Sequence, residues 1–144
     1  MDIKEFKNIV DEVFLSKGMK KRRGNYYFDN EEIITVFGLQ KSSYPNGYYL
    51  NLGYVIKDLN IKEMPKYTDG NIRLRFEFKI NRKLTDLIDI QNVEKKQLIE
   101  QLDKHIKHYI LKINSLLDLL KLLKEKPELL FQTTLETKQF LNIN

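Results

Sequence analysis

Residues 72–80 alternate strictly between apolar and charged side chains, and this alternation constrains the fold more than any other feature of the sequence. Successive side chains of a β-strand point to opposite faces of a sheet, so the pattern predicts a strand over residues 71–81 with one buried and one wet face. The buried face needs a covering layer. The apolar positions are Ile72, Leu74, Phe76, Phe78 and Ile80, and the charged positions are Arg73, Arg75, Glu77 and Lys79.

The segments before this strand predict the rest of an antiparallel β-meander of about four to five strands. A Gly-Asn pair at 24–25 and a Tyr-Pro-Asn-Gly sequence at 44–47 are turn signals, since proline presets one dihedral angle and Asn-Gly accepts a positive φ. The stretch 59–70 contains Pro65 and an Asp-Gly pair, which predict a longer connection. The predicted strands before residue 71 are 19–23, 26–29, 33–40 and 48–57.

Helical segments flank the predicted strands and can cover their apolar face. The first has an apolar face at helical spacing, a capping carboxylate at Asp2 and a left-handed stop at Gly18. Residues 82–90 predict a short helix, and residues 93–125 predict a long one with an apolar seam. We therefore expect an α+β fold, in which an N-terminal helix and a long C-terminal helix pack on one face of the meander. The apolar face of the first helix consists of Ile3, Phe6, Val10, Val13 and Phe14.

The long C-terminal helix exceeds the size of the domain that it would cover. At about 1.5 Å per residue, residues 93–125 would span roughly 50 Å, whereas a globule of this length has a diameter near ~40 Å. We expect a break at Asn114-Ser115, because both are poor helix-interior residues and Ser115 with Asp118 can start a new helix. The tail, residues 126–144, holds a second apolar set and predicts a short helix or an edge strand.

The composition indicates one intracellular domain over residues 1–144. The chain contains no cysteine, which excludes a disulfide scaffold, a thiolate zinc site and a cysteine nucleophile. Acidic residues interrupt the N-terminal stretch, and no run approaches the ~20 apolar residues of a membrane span. We therefore expect a cytoplasmic protein that does not enter a membrane.

The formal net charge of +5 would suit an anionic partner such as nucleic acid, but a composition rich in Lys, Ile and Asn explains it equally simply, and we prefer that interpretation. The lysines are scattered and many alternate with Asp or Glu, so we do not expect a nucleic-acid partner. The densest basic run, residues 20–23, lies beside the aromatic residues 26–28, a combination that can bind single-stranded nucleic acid. We interpret these charges as protection of an edge strand and the aromatic residues as core or cross-strand pairs.

No motif in the sequence indicates a catalytic, metal or cofactor site. His105 and His108 are three residues apart on the long helix, with Lys104 and Lys107 beside them, and we interpret both as exposed helix positions. The serines form no Gly-x-Ser-x-Gly elbow, and the glycines form neither a Walker loop nor a dinucleotide fingerprint. We expect no cofactor and lean towards a protein that is not an enzyme.

Arg73 and Arg75 are the strongest candidates for a binding site. They are two of only five arginines and share the wet face of the predicted strand. Guanidinium groups form bidentate pairs with carboxylates and phosphates. Gln40 and Asn51, on neighbouring predicted strands, would add neutral hydrogen-bonding groups. The alternative is that the arginines pair with Glu77 or another acid on the same face.

The order of these motifs resembles the bacterial family catalogued as domain of unknown function 4304, over about residues 1–125. The resemblance implies a small cytoplasmic bacterial protein of unassigned activity. In that family a histidine often precedes the Arg-x-Arg pair, whereas Asn71 stands here, which weakens a catalytic interpretation. The motifs are Gly18-Met19-Lys20-Lys21, Tyr26-Tyr27-Phe28, residues 36–42, Tyr49-Leu50-Asn51-Leu52-Gly53 and Ile72-Arg73-Leu74-Arg75.

Three functional hypotheses follow. The first is a non-enzymatic binding protein, most concretely an immunity protein that occludes a bacterial toxin, because comparable families often neighbour polymorphic toxins. A basic protein of this kind would suit an acidic toxin surface. The second is a small-anion-binding or enzymatic domain that uses the two arginines as a clamp. The third is a structural homodimer joined through Leu116, Leu120 and Leu123.

Overall fold

The computed structural model describes residues 1–60 and 62–143 and has the expected α+β architecture. The strands are β1 (Lys20–Arg22), β2 (Asn25–Asp29), β3 (Ile33–Lys41), β4 (Gly47–Ile56), β5 (Ile72–Arg75), β6 (Phe78–Ile80), β7 (Lys83–Thr85) and β8 (Leu87–Asp89). The helices are α1 (Ile3–Ser16), α2 (Lys95–Ile106), α3 (Leu116–Glu125) and α4 (Leu135–Phe140).

The main sheet is an antiparallel meander in the order β1-β2-β3-β4-β5. β8 pairs with β4 at residues 47–49, next to the stretch 51–54 where β5 pairs. β6 and β7 form a separate two-stranded hairpin. The predicted meander is therefore confirmed, and within the described residues the structure adds β8 to its sheet and a separate β6–β7 hairpin.

The prediction of one strand over residues 71–81 is correct for burial and wrong for pairing. The apolar side chains from Ile72 to Phe78 are buried and the charged ones between them are exposed. The ladder with β4 nevertheless ends at Arg75, and residues 78–80 enter the second sheet. β8 occupies the next part of the β4 edge, so β5 cannot continue along it.

The short helix predicted over residues 82–90 is wrong, because this segment forms β7 and β8. Asn81 and Arg82 adopt positive φ angles of 51° and 65°, which make the turn between β6 and β7. Ile88 and Ile90 are fully buried. Long-range pairing with β4 therefore outweighs the local preference of this segment.

The predicted break in the long helix is confirmed. α2 passes into a π-helical turn at Lys107–Leu111, and α3 starts again at Leu116. The Ser115 side chain accepts a hydrogen bond from the backbone N–H of Asp118, 3.2 Å away. In the tail, which we predicted to hold a short helix or an edge strand, α4 is a short helix. Just before it, Thr133 forms an isolated bridge with Ile72.

The helices cover one face of the main sheet and form the core with it. Asp2 caps α1 as predicted, and Gly18 follows the helix with φ 87°. Within α1 the ring of Phe14 stacks on Phe37 of β3, with centroids 4.1 Å apart. In the described part of the chain, no helix has both the length and the apolar character needed to cross a membrane. The strand side chains on this face include Ile33, Phe37, Leu50, Leu52, Tyr54, Ile72 and Leu74, all buried.

Candidate functional site

The outer face of the main sheet, opposite the helices, is only partly open to solvent. The connection from β4 to β5 crosses it and places a 3-10 turn, Tyr67–Asp69, above two glycines. A Cβ atom at Gly38 would overlap the ring of Tyr67, and one at Gly53 would overlap the Tyr67 carbonyl oxygen. This half of the outer face is therefore covered, because glycines without side chains let the connection lie directly on the sheet, whereas the charged side chains of residues 73–79 are exposed as predicted.

Side-chain and backbone hydrogen bonds hold this connection in place. The Tyr27 hydroxyl donates to the Pro65 carbonyl at 2.8 Å. The Asp69 carboxylate accepts from the Lys62 ammonium at 2.7 Å and from the Lys66 backbone N–H at 2.8 Å. The Lys62 ammonium and the Lys66 N–H hold the pKa of Asp69 below its usual value. The connection is thus an ordered wall beside the open half of the outer face.

The open half contains all four residues predicted as binding residues, and they line one cleft of about 630 Å³. Asn51 and Arg75 are directly paired on β4 and β5, Gln40 on β3 lies diagonal to Asn51, and Arg73 lies two residues before Arg75 on the same face. We call this the arginine cleft. Its lining residues are Gln40, Asn51, Leu52, Tyr67, Thr68, Arg73, Leu74, Arg75, Asp86 and Gln132.

A closed hydrogen-bond network immobilises Arg75 in the arginine cleft. Its Nε donates to the Asn51 side-chain oxygen at 2.9 Å and its Nη2 donates to the Gln40 oxygen at 3.1 Å. The Asn51 amide also donates to Gln40 at 2.8 Å. The guanidinium lies 4.0 Å from the ring centre of Tyr49 and pairs with Asp86 at 3.4 Å. Arg75 therefore has an internal acid partner, as the alternative interpretation expected, and this partner is Asp86 rather than Glu77.

Arg73 differs from Arg75 in having no ion pair within residues 1–60 and 62–143. Its side chain is exposed and lines the arginine cleft, as do Thr68 and Gln132. A guanidinium carries five N–H donors in a planar fork. Arg73 is therefore the residue of this cleft whose charge and donors remain available to an anionic group.

Several contributors to the cleft were not identified from the sequence, among them Asp86 and Gln132 of its lining and Tyr49, whose ring lies against Arg75. Tyr49 shares the face of Asn51 at period two along β4, so its position under Arg75 could have been inferred. Asp86 and Gln132 belong to segments whose structure depends on long-range contacts. No local signal in the sequence connects them to the arginines.

The interpretation of His105 as an exposed helix residue is wrong, whereas His108 is exposed. The His105 ring lies 5.0 Å from the rings of both Phe76 and Phe78. Its two nitrogens contact the carbonyl oxygens of Gln101, at 2.7 Å, and Glu77, at 2.6 Å. Burial lowers the pKa of His105. The residue therefore fastens α2 to the break between β5 and β6.

The three leucines proposed for a homodimer pack within the chain to different degrees. Leu123 is buried, with 4% of its surface exposed, and Leu116 and Leu120 are half-buried. The largely exposed leucine of α3 is Leu117, at 61%. A dimer through the predicted seam would have to use Leu116 and Leu123, which already contact the core of their own chain.

Comparison with known proteins gives one result. A family model described as "Domain of unknown function (DUF4304)" matches residues 10–116, which include all four predicted binding residues. This match is shorter at both ends than residues 1–125, over which the sequence motifs resemble the family. No curated protein and no solved structure matches.

Proposed function

The chain belongs to the DUF4304 family, whose model matches more than half of it, and from this premise we propose that it is a non-enzymatic binding protein that docks an acidic protein surface on its arginine cleft. The partner we propose is a bacterial toxin, which the chain would neutralise by covering the toxin's active site. The observation that supports this proposal is Arg73, an exposed guanidinium without an ion pair in the described structure, beside a rigid polar wall.

The network around Arg75 supports recognition because it prepares the cleft before a partner arrives. Arg75, Asn51 and Gln40 already hold one another in place. Preorganised groups lose little conformational entropy on binding. Arginine and tyrosine are also enriched among the residues that dominate binding energy at protein interfaces. Arg73 would then pair with a carboxylate of the partner, while the wall supplies shape.

The chemistry of the cleft favours binding over catalysis. Asp86, the carboxylate among the described lining residues, pairs with Arg75. A general base must reach the proton that it removes, and this carboxylate is held by a guanidinium instead. An immunity protein needs no such base, since it acts by occlusion. It would meet its toxin in the bacterial cytoplasm, which suits a chain without cysteine.

The proposal is tested by co-expressing the chain with toxins encoded beside its gene and by capturing them with the purified protein. We expect the wild type to protect cells and to retain one toxin, and we expect Arg73→Glu to lose both properties. Arg82→Glu is the matched control, because Arg82 is also exposed and lies in the β6–β7 turn outside the arginine cleft. Protection and capture that survive Arg73→Glu would overturn the proposal.

The small-anion hypothesis remains a second candidate, because a cleft of about 630 Å³ could hold a small ligand. Of the two arginines in the proposed clamp, Arg75 pairs with Asp86, whereas Arg73 forms no ion pair in the described structure. Thermal melts with phosphate and with dicarboxylates distinguish the candidates. A dose-dependent rise in melting temperature that Arg73→Gln abolishes would favour the small ligand over the protein partner.

A further inference from the structure

A second cleft, also of about 630 Å³, lies beside the arginine cleft and is lined by basic side chains. We call it the lysine cleft. The described residues that line it include no carboxylate. The basic residues come from α1, β1, the β1–β2 turn, the end of β3 and the β4–β5 connection, so only the fold brings them together. They are Lys7, Lys21, Arg23, Lys41 and Lys66.

The basic run at residues 20–23 divides between two surfaces. Lys21 and Arg23 line the lysine cleft, whereas Lys20 and Arg22 line a separate cleft beside Tyr27. This division follows from the period-two geometry of β1. Protection of an edge strand does not require such an arrangement. Lys21 and Arg23 therefore line the same cleft as three basic residues that are distant in sequence.

Part of the charge in the lysine cleft belongs to side chains without an ion pair in the described structure. Lys21 pairs with Asp11 at 2.8 Å, and the Lys41 ammonium donates to the Tyr44 carbonyl at 2.8 Å. Within residues 1–60 and 62–143, Lys7, Arg23 and Lys66 form no ion pair. Three like charges in one concave surface raise its positive potential and attract anionic groups.

The two clefts meet at Tyr67 and Thr68, which line both of them. We infer that the lysine and arginine clefts form one docking surface, which takes an extended, carboxylate-rich segment of the protein partner across Tyr67-Thr68. This inference rests on the proposed function and adds the chemistry and the path of the partner. Arg73 would bind one end of the segment, and Lys7, Arg23 and Lys66 would bind the other.

A protein segment fits this surface better than single-stranded nucleic acid. Binding of unpaired bases needs exposed aromatic rings on which the bases stack. The tyrosines Tyr26 and Tyr48 of the lysine cleft are only 2% and 5% exposed. Lys21 and Lys41 lie over their rings, at 5.5 Å and 5.4 Å from the ring centres. The remaining tyrosine of the surface, Tyr67, is half-buried with its ring against Gly38. The surface thus offers more charge than open aromatic area, which suits carboxylates.

The test uses poly-L-glutamate as the probe and the full-length chain as the receptor, titrated at low and at physiological salt. We expect the wild type to bind and the affinity to fall as salt rises. The triple variant Lys7→Glu/Arg23→Glu/Lys66→Glu should lose about tenfold or more in affinity, because charge complementarity is reversed. Thermal melts establish that the variant remains folded.

The matched control is Lys95→Glu/Lys96→Glu/Lys124→Glu, which makes the same change in net charge at exposed positions outside both clefts. It should bind poly-L-glutamate with at most about a twofold loss, since charges beyond a Debye length are screened. An equal loss in both triple variants would show a general charge effect and would overturn the inference. Absence of wild-type binding would do the same.

Two competitors identify the class of ligand. Oligothymidylate that binds more tightly than poly-L-glutamate, and that the cleft variant no longer binds, would assign the surface to nucleic acid. Inorganic phosphate that displaces poly-L-glutamate at equal ionic strength would assign it to small anions. Either result overturns this inference. If the toxin is still captured by the lysine-cleft variant but lost by Arg73→Glu, the proposed function stands and only this extension fails.

Discussion

The two faces of the main sheet are built by the same strands and stabilised in different ways. On the helix side, Phe37, Leu52 and Tyr54 are fully buried beneath the helices. On the outer side, glycines at 38 and 53 lie under the β4–β5 connection, Val36 and Val55 are buried, and polar side chains line the open half. The helix side depends on large apolar side chains, whereas the outer side combines two small buried valines with close backbone contact and hydrogen bonds. The outer side therefore has room for recognition.

The largest expected effect belongs to the helix side. Phe37→Ala should lower the free energy of unfolding by about 3–5 kcal/mol, because it leaves a cavity beneath a fully buried ring. Phe37 contacts Phe14, Tyr26 and Phe76, so several aromatic neighbours lose packing at once. Urea denaturation followed by circular dichroism measures the loss. A change below about 1 kcal/mol would contradict the assignment of this face as the main core.

On the outer side, the addition of a single methyl group should already lower the free energy of unfolding. Gly53→Ala should cost about 1–3 kcal/mol, because the new Cβ overlaps the backbone of Tyr67 and the connection must move. Gly38→Ala meets mainly the Tyr67 ring, so its cost should be smaller. Adding Tyr67→Ala should rescue Gly38→Ala and not Gly53→Ala. Urea denaturation of the four variants is the measurement, and equal rescue of both would refute the backbone contact.

Much of this contrast between the faces could be predicted from the sequence, because successive side chains of a β-strand point to opposite faces of the sheet. The alternation at 72–80 predicted which side chains are buried, and the same periodicity brought Gln40, Asn51, Arg73 and Arg75 to one face. The path of the connection could not be predicted. It depends on a fit between Tyr67 and two glycines that are distant in sequence, and such contacts leave no periodic pattern.

The errors at residues 76–90 have a similar cause. The strands β7 and β8 contain three residues each, which is too short for a sequence pattern to identify them as strands. Their conformation comes from pairing with β6 and β4, which local propensity does not encode. The same pairing places Asp86 beside Arg75, so the internal partner of that arginine was also missed.

The hydrogen-bond network of the outer side should have an intermediate effect. Asn51→Ala should lower the free energy of unfolding by about 1–2 kcal/mol, because it removes a buried partner of Arg75 and leaves donors unsatisfied. Thermal or urea denaturation gives the value. Gln40→Ala is the control, because Gln40 is exposed and water can replace it; a larger loss there than at Asn51 would contradict this ranking.

Acid should loosen the outer side through Asp69. Its folded pKa is lowered by Lys62 and by the Lys66 N–H, so the contribution to stability is present above its ordinary pKa and is lost as pH falls through the folded value. The pair is partly exposed, so the loss should be at most about 1 kcal/mol. Urea denaturation between pH 5 and pH 3, values near the ordinary pKa of about 4, should show a smaller loss for Asp69→Asn than for the wild type. If the free energy of unfolding fell equally with pH in the two proteins, Asp69 would be excluded as the source of the acid sensitivity.

The smallest effect on stability should come from Arg73, where the effect on recognition should be greatest. Arg73→Gln removes an exposed charge without an ion pair in the described structure, so the free energy of unfolding should change by no more than about 0.5 kcal/mol. Toxin capture should nevertheless fall about tenfold or more, since truncating one partner of an interfacial charge pair costs 2 kcal/mol or more. Arg82→Gln should change neither quantity. If Arg73→Gln instead destabilised the fold as much as Asn51→Ala does, Arg73 would belong to the structural network, and the open half of the outer face would lose its free cation.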